Sequence, residues 1–311
     1  MLSRVADNLY WMGRYLERSE HLARFLNVQY FATIDVPYPQ MRERAMISIL
    51  DMVGIISDEQ TLIEENVLAT VALDDNNPVS ILSSVYMARE NARGARDSIS
   101  TEVWEAINSY HLFVSGYPTD VYKTRGLHDF TFNTINHNDI VKGKIYQTLL
   151  NDVAFHFLQM GIHLERAIQV VRIIISKMKD IQYLGNLKLG SSLELQQWNI
   201  LLDCVEAKDM CRKYYNSLPN KHNTLEFLLF INSFPRSVVY NLLHAHNHLK
   251  LINPDKQEAR GEIGYKVGKI INHLRYMEIA DLDNNIPAFL EDTLQMIYQI
   301  NSLIQEEYFN Y

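Results

Sequence analysis

The chain has 311 residues, of which 47% are hydrophobic and 21% charged, a composition typical of a globular protein with a substantial core. Its 29 Lys and Arg residues against 37 Asp and Glu residues give a formal net charge of −8. This charge argues against a nucleic-acid-binding protein, which needs a basic face, but it is compatible with a small cationic pocket. No run of about 18 uncharged apolar residues predicts a membrane span, and the first residues, MLSRVADNLYWMGR, predict no signal peptide.

The two cysteines, Cys204 and Cys211, are seven residues apart in a stretch with helical periodicity. Seven helical residues span about 10 Å, which is too far for a disulfide. We therefore expect both cysteines to be reduced core residues and the chain to be cytoplasmic.

The predicted elements are all helices. The chain has only 12 glycines and 8 prolines and no Asn-Gly turn, which argues against a sheet. In the first helix, which should end before DVPYP, apolar residues recur at steps of three and four. These residues are Leu2, Val5, Leu9, Met12, Leu16, Ala23 and Leu26. We predict an all-α multi-helix bundle that forms a single domain over residues 1–311.

Further helices are predicted along the rest of the chain. They cover residues 41–55, a segment that follows Ser57 and Asp58, a segment capped near Asn77 with Pro78 at its first position, STEVWEAINSYHLFVS up to Gly116, and 117–138 with a break at RGLHDF. The next predicted helices cover 139–183, 192–216, 223–232, 235–251, 255–280 and 287–308.

One motif occurs twice. YWMGRYLERSEHLARFL begins at Tyr10, and LQMGIHLERAIQVVRII begins at Leu158. At a constant offset of 148 the residues Met12, Gly13, Leu16, Glu17, Arg18 and Arg24 match Met160, Gly161, Leu164, Glu165, Arg166 and Arg172.

A second pair of segments repeats in the same order. NPVSIL at Asn77 resembles FPRSVV at Phe234, at an offset of 157. We predict an ancient tandem duplication with halves of roughly 1–138 and 139–311, arranged as a pseudo-twofold bundle with one shared core.

Glycine inside a helix costs about 1 kcal/mol relative to alanine, so its presence in both copies requires a reason. Gly13 and Gly161 would allow another helix to approach closely, one turn before Glu17 and Glu165. Both carboxylates are therefore expected to point inward.

A buried carboxylate needs a cationic partner, because an unpaired buried charge costs several kcal/mol. Arg18 is rotated by about 100° from Glu17 and cannot pair with it closely. The repeated helix offers Arg166 or Arg172, so we predict reciprocal pairs across the pseudo-twofold axis.

A further group of arginines lies in ARENARGAR, where Arg89, Arg93 and Arg96 share one helical face and Glu90 lies beside them. We predict that Arg89, Arg93, Arg236 and the repeated arginines converge in a cationic pocket, since guanidinium groups match carboxylate and phosphate geometry. The candidate ligand-binding residues are Glu17, Arg18, Arg89, Glu90, Arg93, Glu165, Arg166 and Arg236.

Two interpretations of these residues stay open. Inward Glu-Arg pairs commonly fix register and specificity without touching a ligand. Alternatively, the excess of arginine over carboxylate binds an anionic small molecule or peptide.

Other chemistry has little support in the sequence. No glutamate has a histidine three residues later, which excludes a di-iron bundle of the Glu-x-x-His type. His244 and His248 lie one turn apart but lack an evident third ligand. No Walker or dinucleotide-binding glycine motif occurs, so we expect neither a metal nor a cofactor.

Four ordered motifs carry a family resemblance: NLYWMGRYLERSEHLAR, NPVSILSSVYMARENARGARDSIS, FLQMGIHLERA and FPRSVVYNL. They resemble the bacterial alpha-E family, helical proteins named for their Glu-Arg motif, from Leu2 to beyond Leu242. The family's signature positions fall on Glu17, Arg18, Arg89, Glu90, Arg93, Glu165, Arg166, Pro235 and Arg236. Where relatives often continue the second motif with an acidic residue, this chain has Ile168.

The resemblance implies no established enzymatic activity and an association with circularly permuted ATP-grasp ligases and transglutaminase-like proteins. Two functions follow. The chain is either a non-catalytic partner or substrate-presenting module of a peptide-synthesis or peptide-tagging system, or an enzyme of the same system. The enzyme would use Glu17 or Glu165 as general acid/base, with arginines orienting an anionic substrate.

Overall fold

The computed structural model describes residues 1–34, 39–55, 62–186, 191–254, 259–282 and 285–309, and these residues contain helices and no strand. The helices are α1 (Ser3–Ile34), α2 (Pro39–Met52), α3 (Glu64–Ala72), α4 (Ile81–Gly94), α5 (Thr101–Ser115), α6 (Thr119–Val121), α7 (Leu127–Thr148), α8 (Val153–Asn186), α9 (Ser191–Cys204), α10 (Lys208–Tyr215), α11 (Lys221–Phe230), α12 (Val238–Ile252), α13 (Ile263–Arg275) and α14 (Ile286–Tyr308). The predicted all-α multi-helix bundle is confirmed.

The two longest helices, α1 and α8, lie against each other at the centre of the bundle. Helix α4 packs on α1, and α12 packs on α8; the longer helix α7 also packs on α1. Helices α2, α9 and α14 each contact both central helices. As a result, both Glu-Arg motifs lie in the interior.

The apolar stripe predicted for α1 is buried over most of its length. Leu9, Met12 and Leu16 have no exposed surface, and each such burial contributes about 1.5–3 kcal/mol. Leu2 departs from this pattern, because it precedes the helix and is 72% exposed.

The predicted role of the two glycines is confirmed by the contact between α1 and α8. A Cβ placed on Gly13 would collide with the backbone carbonyl oxygen of Leu158, and one on Gly161 would collide with that of Tyr10. Each glycine therefore lets the backbone of the opposite helix pass where a side chain would otherwise stand.

Helices α4 and α12 begin in the same way, but later than predicted. Ser80 caps α4 by accepting a hydrogen bond from the Ser83 amide at 3.0 Å, and Ser237 caps α12 by accepting one from Tyr240 at 3.1 Å. The predicted cap near Asn77 is wrong, since the Asn77 side chain accepts instead from the amide of Val79 within the preceding turn. The prolines lie in these turns, and the serines provide the caps.

Two long predicted helices are each divided in the structure. The helix predicted over 139–183 is interrupted between α7 and α8, where Asp152 accepts hydrogen bonds from the amides of Ala154 and Phe155 and so starts a new helix. The boundary predicted at 138/139 therefore falls inside α7. The helix predicted over 192–216 is interrupted after Cys204, because Glu206 has a left-handed backbone conformation with φ of 50°.

Smaller boundary differences follow the local hydrogen bonding. The predicted break at RGLHDF is absent, because a π-helical turn over Tyr122–Gly126 leads directly into α7. The helix predicted over 41–55 spans Pro39–Met52, and that over 255–280 is reduced to α13 followed by a 3-10 turn at Ile279–Leu282. Ser57, Asp58 and residues 255–258 lie outside the described residues.

Cys204 and Cys211 are free and buried, as predicted, although they lie on two helices, α9 and α10, and not on the single helix from which their separation was judged. Burial raises the pKa of Cys204 to about 12 and that of Cys211 to about 11, so both stay as thiols near neutral pH.

Candidate functional site: a buried ion-pair network between α1 and α8

The second Glu-Arg motif contributes Glu165, which points from α8 toward α1. Arg18 donates to both carboxylate oxygens, at 2.8 and 3.2 Å, and Arg14 donates through Nε at 2.7 Å. Gln169, one turn further along α8, donates to the carboxylate at 2.8 Å. The carboxylate of Glu165 is buried and has several donors.

The first motif contributes Glu17, which is 0% exposed. Arg166 of α8 donates to its two oxygens at 2.6 and 3.0 Å, and Lys142 of α7 forms a second ion pair with it. His21, also fully buried, lies 3.4 Å from the same carboxylate. The predicted reciprocal pairing is confirmed: Arg18 pairs with Glu165, and Arg166 pairs with Glu17.

A third buried carboxylate, Glu20, extends the network from Glu17 toward α7 and α12. Glu20 forms ion pairs with Arg24, Lys142 and Arg236, the last at 3.1 Å. Asn138 of α7 donates to it at 2.7 Å. Lys142 thus contacts both Glu17 and Glu20.

The charges of this network keep its carboxylates ionised. Burial raises the pKa of Glu17, but Arg166 and Lys142 outweigh that effect and hold the pKa well below its usual range. Burial is likewise outweighed at Glu20, by Lys142, Arg24 and Arg236, and at Glu165, by its arginine partners; both pKa values are lowered.

His21 is the neutral member of the network. Burial lowers its pKa despite the nearby carboxylates, so it is uncharged near neutral pH. The charge balance of the network therefore depends on its arginines, lysine and carboxylates.

The network reaches the surface at Glu206, whose side chain is 52% exposed. Its carboxylate lies 3.1 Å from Arg24 Nε and 2.5 Å from Arg236 Nη2. The Nη1 atoms of both arginines are buried without a hydrogen-bond partner among the described residues. This end of the network has donor capacity that its described partners do not use.

The predicted arginine residues outside the two motifs have different described partners. Arg89 donates to Asn108 at 2.8 Å and to Glu90 at 2.9 Å, and Arg93, 67% exposed, pairs with Glu90. None of the contacts described for Arg89 or Arg93 is with Arg236. Glu90, on the same helix, neutralises its neighbours, and one pocket containing all three arginines stays a prediction.

Two further expectations concern α8. Arg172 was a candidate partner for Glu17, but it donates instead to the backbone oxygen of Met52 at 2.9 Å. Ile168 lies in the hydrophobic core, as its apolar character suggests.

Histidines from α8 and α12 stack in a row of aromatic contacts. His156 and His248 face each other with their Nδ1 atoms 3.2 Å apart, and His163 stacks between His244 and His248. Burial lowers the pKa of His163 to about 3 and that of His248 to about 4. Over the ranges that the structure describes, no group of three or more His, Cys, Asp or Glu side chains is arranged to hold a metal ion.

Sequence reasoning missed several residues of the network. They include Arg14, Glu20, His21, Arg24 as a partner of Glu20, Lys142 and Glu206. Glu20 and Arg24 had a readable signal, because they are four residues apart on the inward-facing helix. Lys142 and Glu206 are distant in sequence and have no such signal.

The fold and the network define an all-helical protein built round two reciprocal glutamate–arginine pairs. Comparison with known families gives the same class: residues 1–309 match the Alpha-E family, described as a predicted alpha-helical domain with a conserved ER motif. The chain belongs to the Alpha-E family.

Similar curated proteins come from mycobacteria. An uncharacterised protein of Mycobacterium bovis and one of Mycobacterium tuberculosis are each 20% identical over 280 residues, which cover 83% of this chain and 31% of the relative. The chain thus spans about a third of the length of these relatives. No solved structure matches the chain. None of the helices, within the described segments, is long and apolar enough to cross a membrane.

Proposed function

We propose that this chain is a non-catalytic helical partner, or substrate-presenting module, of an ATP-grasp amide-ligase system in the cytoplasm. Membership of the Alpha-E family supports this proposal, because the family resemblance implies an association with circularly permuted ATP-grasp ligases. The structural observation that carries the proposal is the contrast between the closed Glu-Arg pairs and the unused arginine donors beside Glu206.

The closed pairs favour a scaffold over an enzyme. Glu17 and Glu165 are buried, each is held by a bidentate arginine, and their lowered pKa values leave them without a proton to donate near neutral pH. A general acid/base needs a pKa near the working pH and access to the reacting group. Neither carboxylate has these properties, so the non-catalytic function is the better supported of the two.

The anionic ligand is proposed to bind at Arg236 and Arg24, and not at Arg89 and Arg93. Around Glu17, Glu20, Glu206 and Asp139 four carboxylates face four cations, which are Arg24, Lys142, Arg166 and Arg236. An anionic ligand at Arg236 and Arg24 would therefore replace the Glu206 carboxylate. In this partly desolvated place a guanidinium attracts a carboxylate or phosphate more strongly than an exposed lysine would.

We also propose that the two halves arose by tandem duplication. The matched serine caps of α4 and α12 and the matched glycine contacts of α1 and α8 support this origin. A transglutaminase-like protein is the second partner that the family association suggests.

The proposal is tested by co-expressing the chain with an ATP-grasp ligase of the source organism. We expect the two proteins to co-elute, and the chain to lower the KM of the ligase for its carboxylate substrate. Arg236→Gln should raise that KM, whereas Arg93→Gln, which changes an exposed arginine whose described partner is Glu90, should not.

Two outcomes would contradict the proposal. Separate elution of the two proteins with unchanged ligase kinetics would contradict the proposed partnership with the ligase. Amide formation by the chain alone, abolished by Glu17→Gln with the fold intact, would instead support the enzyme.

A further inference from the structure

A cleft opens beside the surface end of the ion-pair network. It has a volume of about 670 Å³ and lies among the α9–α10 connection, α10, α11 and the turn before α12. Its walls include Met210, Lys213, Tyr214, Phe227, Phe234 and Arg236. The volume is that of an ordinary small-ligand site, and its lining combines apolar and cationic groups.

The apolar wall is partly exposed in the free protein. Tyr214 is 56% exposed and Met210 is 47% exposed, while the ring of Phe227 behind them lies 4.5 Å from that of Phe234. An aromatic or large aliphatic side chain placed here would cover these surfaces and contact a rigid ring pair.

Unused hydrogen-bond donors lie on Arg236 of the cleft lining and on Arg24, which contacts the cleft residue Glu206 from behind the lining. Arg24 is 4% exposed and Arg236 is 18% exposed, and the buried Nη1 atom of each has no partner among the described residues. Buried donors without partners are costly, so an acceptor at this position is favoured.

Glu206 presently supplies a carboxylate to these arginines from a strained position. The amide of Ala207 donates to the Leu202 oxygen at 2.8 Å, and that of Glu206 to the Asp203 oxygen at 3.2 Å, which is the C-terminal helix motif that favours glycine at position 206. Glu206 adopts φ of 50° there, although a side chain disfavours this conformation. The Glu206 carboxylate thus pairs with both arginines. Because its side chain is half-exposed, it can rotate into solvent and leave the arginines free to bind another anion.

We propose that the cleft binds the C-terminal carboxylate of a peptide whose last residue is aromatic or large and apolar, with the Glu206 side chain as the internal occupant that the ligand displaces. The inference rests on the proposed function, since it names the ligand that the module would present. The terminal carboxylate takes the place of the Glu206 carboxylate beside Arg236 and, behind the lining, Arg24. The last side chain lies against Tyr214, Phe227 and Phe234 of the cleft wall.

The lining selects this ligand over two others. Inorganic phosphate would pair with the arginines but leave the aromatic wall uncovered. A free amino acid would bring its ammonium group next to Arg236 and Lys213, where like charges repel, whereas the amide of a peptide carries no charge.

The test is calorimetry with four probes at low and physiological salt: acetyl-Ala-Ala-Phe, its C-terminal amide, acetyl-Ala-Ala-Gly and inorganic phosphate. We expect acetyl-Ala-Ala-Phe to bind at least about tenfold more tightly than each of the others, because only it satisfies both parts of the cleft. Equal binding of the acid and the amide, or of the Phe and Gly peptides, would overturn the inference.

Three variants locate the site and keep the test independent of folding. Glu206→Gly removes the competing carboxylate and suits the left-handed backbone, so it should tighten binding of the Phe peptide by about tenfold. Tyr214→Ala should remove the preference for Phe over Gly, and Arg236→Gln should weaken the acid but not the amide. Unchanged affinity in Glu206→Gly, with a helical spectrum like that of the parent, would contradict the displacement.

Failure here is distinguishable from failure of the proposed function. If the chain co-elutes with the ligase but binds phosphate as tightly as the Phe peptide, its role as a partner is supported and only the proposed ligand is wrong. If the chain binds the Phe peptide tightly but does not co-elute with a ligase, the peptide site in the cleft is supported and the ligase partnership is contradicted.

Discussion

The two Glu-Arg motifs share their central pair and differ three residues later. At the offset of 148, Glu20 of the first motif corresponds to Ile168 of the second. Glu20 gathers Arg24, Lys142 and Arg236, whereas Ile168 lies in the hydrophobic core and Arg172, the counterpart of Arg24, donates to a backbone oxygen. One extra carboxylate therefore extends the first pair into a network that reaches the surface, while the second pair stays closed.

The positions next to Glu20 and Ile168 differ less. His21 lies beside Glu17, and Gln169, at the same offset, donates to Glu165. On the function proposed above, the shared pair serves the fold, and the additions around the first motif serve the proposed ligand site. The experiments below test this difference between the two motifs, in order of decreasing expected effect.

Acidification should give the largest loss of stability, because it acts on both motifs together. The pKa values of Glu17, Glu20 and Glu165 are lowered in the folded protein, so their contribution is complete above the unfolded glutamate pKa of about 4.3 and is lost as pH falls toward the folded values. Each unit of difference is worth about 1.4 kcal/mol per carboxylate. Urea unfolding between pH 7 and pH 3 measures this, and a free energy of unfolding that does not change would contradict the ion-paired interior.

Glu20→Ile makes the first motif like the second. It should lower the free energy of unfolding by about 3–5 kcal/mol, because Arg24, Lys142 and Arg236 lose a buried counter-charge. Chemical denaturation measures the loss. A change below about 1 kcal/mol would mean that Glu20 adds little to the pair at Glu17.

Glu17→Gln and Glu165→Gln probe the shared pair in each motif. Each should cost about 3 kcal/mol, and the two costs should agree within about 1 kcal/mol, since each substitution leaves a bidentate arginine without its charge. Thermal and urea unfolding of the two variants provide the comparison. An unchanged melting temperature for either variant would show that its carboxylate has no structural part.

Gly161→Ala tests the close approach of the two central helices. The added Cβ meets the Tyr10 carbonyl oxygen, which is backbone and cannot rotate away, so a loss of about 1–3 kcal/mol is expected. Gly143→Ala is the matched control, since a Cβ there meets nothing within 4 Å and helix propensity alone should add about 0.5–1 kcal/mol of stability. Equal effects at both positions would contradict the close approach.

Arg93→Ala should have the smallest effect. Its pair with Glu90 is exposed, and such pairs are worth about 0–1 kcal/mol. Binding of the Phe peptide should stay unchanged, measured by calorimetry. A loss of binding would return Arg93 to the ligand site predicted from the sequence.

Much of the interior was predictable because its signals are local. Glycine, glutamate and arginine at helical spacing, twice, indicated two inward carboxylates and reciprocal arginine partners. What failed depended on competition between alternatives of similar energy. Asn77 and Ser80 are both good caps, and only the turn geometry assigns the cap to Ser80.

The residues around the proposed ligand cleft were not predictable by the same reasoning. The left-handed residue between α9 and α10 is Glu206 and not glycine, so the sequence gives no signal of a helix end there and predicts one continuous helix. Arg89 and Arg93 were predicted to be available for an anionic ligand, because helical periodicity shows which residues share a face. Periodicity does not show that Glu90 forms ion pairs with both of them. Charge partners across long sequence separations, such as Lys142 with Glu20, require the fold itself.

The mutual glycine contacts also constrain how the chain can change in length. They fix the position of α1 along α8, and a slip of one residue would move each carboxylate by about 1.5 Å along its axis and turn it by about 100°. A single-residue insertion between Gly13 and Glu17 would therefore disturb both reciprocal pairs across α1 and α8, Arg18 with Glu165 and Arg166 with Glu17, at once. The connection at residues 149–152, which lies between the two motifs but outside their helices, is free of this restriction. Insertions there should accumulate among relatives of this chain, while the four-residue step from glycine to glutamate keeps its length.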